Sequence, residues 1–354
     1  MTRAQITVRA PLLAWFDLHR RDLPWRRSRD PYAIWVSEVM LQQTQVSTVI
    51  PYWDRFLARF PTVEALAAAS LPEVLSLWRG LGYYARARNL HRAAKAVVAE
   101  HEGKLPSDPE LLRKLPGFGR YTTGAVASIA FGRELPVVDG NVARVLSRLF
   151  AVEGAPGDAK REALLWRRAG ELVAGDRPGD FNQALMELGA LVCRMESPAC
   201  LLCPVRASCA ALASGRVSEL PAARARAPRK KLRLAVAVCR KSREVLLGMR
   251  EERGLFGGLW ELPCAEIAPG AGPAQVLSAL QSAVGASIRL EASLGSVRRT
   301  LTHRDLELSL YRVTAKSEPR PSAGYQEFRW VSPGEAQNLG MSTAMQRALE
   351  LASG

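Results

Sequence analysis

Leu111-Leu-Arg-Lys-Leu-Pro-Gly-Phe-Gly-Arg-Tyr-Thr-Thr-Gly-Ala-Val-Ala-Ser-Ile-Ala-Phe131 decides the fold of the first half of this chain. Leu111 to Lys114 reads as a short helix and Tyr121 to Phe131 as a second one. Leu115-Pro116-Gly117-Phe118-Gly119 makes the tight turn between them. Backbone N–H groups at such a turn and at the start of the following helix point outward and bind phosphate without reading base sequence. Gly117 and Gly119 are therefore candidate contacts to a DNA backbone, in a helix-hairpin-helix. A Pro-Gly-x-Gly string by itself is weak and is often only a turn.

Outward from the hairpin, residues 1–212 keep a helical pattern, as in Pro61 to Ala69, Leu90 to Ala99 and Asn141 to Phe150, which predicts an all-α domain. Residues 213–231 shift to Ala, Pro and Arg, with Arg224, Arg226, Arg229, Lys230 and Lys231. They read as a basic linker, either beside a phosphate backbone or as a solvated tether. Residues 232–354 predict an α/β domain. Its strands are Leu232 to Val238, Val245 to Met249, Leu306 to Val313 and Phe328 to Val331, and its helices Ala274 to Val284 and Thr343 to Ala352. The segment Arg86, Arg88, Arg92 and Lys95 is a basic helical run, suited to backbone contact or to a solvated face.

Cys193, Cys200, Cys203 and Cys209 stand six, two and five residues apart, too close for a spread disulfide framework but right for one compact metal centre. A zinc site and four packed thiols are the alternatives. Cys239 and Cys264 read as packing residues. The net charge of +15 suits a polyanionic partner or a soluble basic surface. No run approaches the ~18 apolar residues of a membrane span, and no signal-peptide pattern opens the chain, so an intracellular protein without a membrane partner is expected.

The six-two-five spacing at 193–209 resembles the cluster loop of the endonuclease III family of DNA glycosylases, which implies a four-iron, four-sulfur (4Fe-4S) cluster on these cysteines. Three further strings are similar to the MutY adenine DNA glycosylases: Pro24-Trp25-Arg26, Trp35 to Thr44 (WVSEVMLQQT), and Gly80-Leu81-Gly82-Tyr83-Tyr84-Ala85-Arg86. With Val137-Val138-Asp139-Gly140-Asn141-Val142, these strings carry a resemblance that extends over nearly the whole chain. The resemblance implies a cytoplasmic, nucleoid-associated monomer acting on double-stranded DNA. It would remove adenine opposite 8-oxoguanine or guanine.

The residues support that chemistry. Asp30 as N-cap and Pro31 at the first helical position start a helix that sets Glu38 among Ile34, Trp35 and Leu41. Desolvation there should raise its pKa and keep a proton available for a leaving base. N-glycosidic cleavage, like glycoside hydrolysis, calls for one protonated and one ionised carboxylate. Asp139 is the second candidate, with N-capping of the helix Val142 to Phe150 as its plain structural reading; a surface or ion-paired glutamate is the plain reading of Glu38. The family pattern makes Glu38 the donor to adenine N7 and Asp139 the stabiliser of the sugar cation, with Asn141 beside it.

Bifunctional relatives carry a lysine just after the hairpin, and this chain has Tyr121 there. A phenol cannot form an imine, so hydrolysis by water is expected, against the alternative of an endonuclease III-like glycosylase/lyase acting on oxidised pyrimidines. As a plain structural residue, Tyr121 would be a core aromatic. By resemblance, Tyr83 and Gln43 wedge into the duplex, and Arg26, Leu41 and Gln183 surround the extruded adenine. Gly254 to Pro263 resembles the start of a Nudix domain, but Ala274 to Val284 lacks the glutamates that hold magnesium, so binding without hydrolysis is implied. In the family this domain inspects oxidised guanine through a Phe-Ser-His loop. Here it reads Leu301-Thr302-His303, which keeps a hydroxyl and an imidazole and loses the ring. Thr302 and His303 are the candidate contacts, a simple surface histidine being the other reading of His303.

Overall fold

The computed structural model describes residues 5–223, 228–252, 254–322, 324–336 and 338–353. Arg224 and Arg226 of the basic segment lie outside them. The chain forms two compact units, one of residues 1–67 and 92–226, the other of residues 68–91 and 227–354. Among the described residues no helix is long and apolar enough to cross a membrane.

In the first unit the helices are α1 (Ala10–His19), α2 (Pro31–Leu41), α3 (Val46–Arg59) and α4 (Val63–Ala68). After α5 (Leu71–Leu77), which belongs to the second unit, come α6 (Ala85–Glu100), whose residues 85–91 are counted with the second unit and the rest with the first, and then α7 (Pro109–Lys114), α8 (Arg120–Ile129), α9 (Gly140–Leu149), α10 (Ala159–Val173), α11 (Pro178–Leu191) and α12 (Ala210–Ala213). Helix α2 begins where Asp30 accepts the amides of Tyr32 and Ala33 at 3.0 and 3.3 Å, ahead of Pro31. Every residue from Tyr32 to Met40 is buried, so α2 runs through the middle of its unit and not along the surface. Leu12 and Phe16 of α1 join Val142, Val145 and Leu146 of α9 and Phe181, Leu185 and Leu188 of α11 in one apolar cluster, and Cys193, Cys203 and Cys209 pack against it. Gly189 permits the close approach of α11 to α9, since a Cβ there would lie 2.7 Å from the Asn141 Cβ. The basic linker, residues 213–231, is docked on the first unit at Leu220, which is buried and whose carbonyl accepts from Arg148 at 2.8 Å.

The second unit is a sheet with helices on both faces. Strand β1 (Lys230–Lys241) runs parallel to β6 (Arg304–Ala315), which pairs antiparallel with β5 (Ile288–Thr300). The other strands are β2 (Glu244–Arg250), β3 (Trp260–Glu261), β4 (Cys264–Glu266) and β7 (Tyr325–Val331), in the path β3-β2-β1-β6-β5, with β4 on β1 and β7 on β2. Leu232, Leu234, Val236 and Val238 face Ala344, Met345 and Ala348 of α15 (Thr343–Ser353), the helix after α14 (Pro333–Ala336). Ala235, Ala237 and Cys239 face Val276, Leu280 and Val284 of α13 (Pro273–Val284). Burial on both faces is why β1 reads as a continuous apolar run, without the alternation of a half-exposed strand.

Candidate active site

Glu38 is the only carboxylate on α2 and is 5% exposed. Burial, with the charge of Asp139 adding to it, raises its pKa to about 7 against the opposing Tyr121 hydrogen bond and the weaker pull of Arg26. Tyr121, at the start of α8, donates its hydroxyl to Glu38 Oε2 at 2.7 Å and also approaches Met186 Sδ at 3.7 Å. Asp139 caps α9, its Oδ1 accepting the Val142 amide at 2.7 Å, so the capping expectation holds. Burial moves Asp139 upward too, opposed by the amides of Val142 and Asn141. Leu41, Gln43, Asp139, Asn141 and Arg144 line a pocket of about 790 Å³, and Glu38, Tyr121, Arg26 and Gln183 stand outside its lining. In the hairpin, Gly117 has φ +82°, which glycine accommodates without strain. The amides of Phe118 and Gly119 donate to Leu115 and Gly117 inside the turn.

A second carboxylate stands close by. Glu187 on α11 is 1% exposed, accepts from Arg21 and Arg26, and is held at a pKa of about 2. Burial works to raise it, and the hydrogen bonds from the two guanidinium groups, with the Arg26 charge, outweigh that. Arg26 also donates Nε to Gln183 Oε1 at 3.0 Å.

The four clustered cysteines line one small cavity together with Arg148 and Arg206. Among the described residues no three His, Cys, Asp or Glu stand close enough to hold a single metal ion. Arg148 donates to Cys193 Sγ at 3.4 Å and to the carbonyls of Arg194 and Met195 at 2.6 and 3.0 Å. One turn earlier on α9, Arg144 donates to the Cys193 carbonyl and to Asn141 Oδ1, both at 2.8 Å. The helix capped by Asp139 thus carries the two arginines that fix the cysteine loop.

In the second unit, Tyr83, Thr302, His303, Leu301, Phe256 and Arg88 share a pocket of about 630 Å³. The hydroxyls of Tyr83 and Thr302 meet in a short hydrogen bond. Tyr83 has φ +48°, as Gln43 of the first unit has φ +58°, a backbone region non-glycine residues seldom occupy. Of the basic run, Arg86 donates to the Leu81 and Gly82 carbonyls and lies over the rings of Trp78 and Tyr83, and Arg88 donates to the Gly257 carbonyl.

Residues 36–171 match the HhH-GPD superfamily base excision DNA repair proteins, and residues 235–351 match the NUDIX domain. The chain is 38% identical to the adenine DNA glycosylase of Homo sapiens over 99% of its own length and 75% of that protein. It is likewise 38% identical to that of Rattus norvegicus, over 97% of this chain and 77% of the relative. This chain belongs to the adenine DNA glycosylase family. Among solved structures, a thermostable thymine-DNA glycosylase superposes with a TM-score of 0.54 at 29% identity, covering 60% of this chain and 98% of that one. Endonuclease III in a non-covalent DNA complex gives 0.50 at 23% identity, a likeness of fold, over 60% and 99%.

In this member of the family, sequence reasoning missed Glu187 and Arg21. A glutamate inside the apolar stretch Phe181 to Leu191 was the available signal, but its partners lie more than 160 residues away in the chain. Arg144 and Arg148 were likewise unmarked; their spacing of four on α9 puts them on one face.

Proposed function

We propose that this chain removes adenine paired with 8-oxoguanine or guanine in double-stranded DNA, by hydrolysis of the N-glycosidic bond, as a monomeric base excision repair enzyme of the nucleoid. The observation that carries this reading is the 2.7 Å hydrogen bond from Tyr121 to a buried Glu38 beside Asp139. With a pKa near 7, Glu38 retains a proton at neutral pH and can donate it to adenine N7 as the base departs with the bonding electron pair. Asp139 stabilises the positive charge left on the sugar, and water adds its hydroxyl there while its proton passes to the Glu38 carboxylate, which restores the acid. Tyr121 orients Glu38 and offers no amine, so no imine forms and the strand stays intact. Gln43 and Tyr83, both held at positive φ, suit the wedge role, and Thr302 and His303 suit a contact to the oxidised guanine.

Cys193, Cys200, Cys203 and Cys209 would hold the 4Fe-4S cluster. Four sulfurs lining one cavity fit the four thiolate ligands of such a cluster. Arg148 donating to Cys193 Sγ is the kind of support such a ligand requires. Bound there, the cluster cross-links the loop as a structural element. The purified protein should be brown with about four irons per chain; stoichiometric zinc without iron after anaerobic purification would overturn this.

The deciding test incubates labelled duplexes carrying adenine opposite 8-oxoguanine. Strand cleavage is expected only after alkali, with little complex trapped by borohydride. Nicking without alkali, or efficient trapping, would assign the lyase reaction instead.

A further inference from the structure

We propose that Glu187 is a positioning residue of the base pocket, which fixes Arg26 and through it turns the amide of Gln183 so that its NH2 group meets the extruded base. The proposal rests on the reading that adenine reaches Gln183.

Glu187 Oε2 accepts from Arg26 Nη2 at 3.0 Å and from Arg21 Nη2 at 2.8 Å. Its Oε1 accepts from the Arg21 amide at 2.9 Å, Arg21 Nε at 2.8 Å and Arg26 Nη1 at 3.3 Å. Arg26 Nη1 also donates to the Arg21 carbonyl at 3.1 Å, and Nε donates to Gln183 Oε1 at 3.0 Å. All three nitrogens of Arg26 are thus engaged inside the protein, and the guanidinium lies over the Phe16 ring. The base contact passes to the next group outward, Gln183.

A guanidinium has donors and no acceptor. Gln183 must therefore present its oxygen to Arg26, which leaves its NH2 as the free end. That end pairs only with an acceptor. With N7 assigned to Glu38, adenine offers unprotonated N1 and N3, whereas guanine carries a proton on N1. Without Glu187, Arg26 can swing away, the amide of Gln183 can turn over, and the preference for an acceptor is lost.

Single-turnover excision from duplexes carrying adenine, 1-deazaadenine or 3-deazaadenine tests this, since each analogue replaces one ring nitrogen by C–H. Comparing analogue-to-adenine ratios between variants cancels the analogues' own lability. The wild type should lose roughly tenfold on one analogue, the contribution of one hydrogen bond, relative to Gln183→Glu, which cannot donate. Glu187→Gln should lose the same discrimination to within about twofold. Arg26→Lys, which cannot hold Glu187 and Gln183 together, replaces it should that protein not fold. Equal slowing of all three substrates by Glu187→Gln, with the wild-type ratio retained, would overturn the proposal while Gln183→Glu still removes the discrimination. If Gln183→Glu also keeps the wild-type ratio, the base does not meet Gln183 and the underlying reading fails instead.

Discussion

Two glutamates in the first unit are almost equally buried, Glu38 on α2 at 5% exposure and Glu187 on α11 at 1%, yet one is pushed up to about 7 and the other down to about 2. The difference lies in their neighbours. Glu38 has a phenol donor and a second carboxylate, with Arg26 only a weak influence. Glu187 has two guanidinium groups on both of its oxygens. Burial alone charges neither; it amplifies whatever partners the fold supplies. The same Arg26 joins the two regions, paired with Glu187 and near Glu38, so Glu187 also absorbs a positive charge that would otherwise bear on the candidate acid.

The largest effect expected from breaking this contrast is on chemistry. Glu38→Gln keeps the shape and removes the donatable proton, so single-turnover excision should fall by roughly 10² to 10⁴ while duplex binding persists. Near-normal excision would remove Glu38 from the role. Next in size, Glu187→Ala leaves Arg26 without its carboxylate in a buried setting and should cost about 3 kcal/mol of stability by denaturant unfolding. Its wild-type contribution is present above pH ~4.5 and is lost as pH falls toward 2, so the variant and the wild type should converge in acid.

Glu38 gives the opposite sign. Its pKa rises from 4.5 to about 7 on folding, so the folded state holds the proton more tightly and stability declines as pH rises through that interval. Glu38→Gln should therefore gain on the wild type by up to about 3 kcal/mol at pH 8 and nothing at pH 4. Parallel unfolding curves at both pH values would contradict a neutral, buried acid. The smallest expected effect lies in the second unit: His303→Ala should reduce the preference for adenine opposite 8-oxoguanine over guanine by about tenfold, with the salt dependence unchanged. An unchanged ratio would leave the Leu301-Thr302-His303 loop without a recognition role.

Much of this was legible in the chain itself. Although the covering of every face of α2 from Tyr32 to Met40, Glu38 included, comes from the packing around it, Asp30, Pro31 and the apolar run after them mark the start of the helix, because capping is a local property. The hairpin turn, the N-cap at Asp139 and the strands of β1 and β6 follow in the same way. Strand β5 was not legible. Its residues are mostly exposed and interrupted by charges, and it is defined by its pairing with β6 at the sheet edge.

The sequence by itself determined which groups could react, where the helices begin, and that a phenol stands where an amine would otherwise attack. Tertiary structure decided the charge states and orientations. Arg21 and Arg26 reach Glu187 only when residues more than 160 positions apart are brought together, and Arg144 and Arg148 reach the Cys193 loop only across the α9–α11 packing. Those contacts act over a few ångströms in space, at chain separations that no local pattern of residue types records.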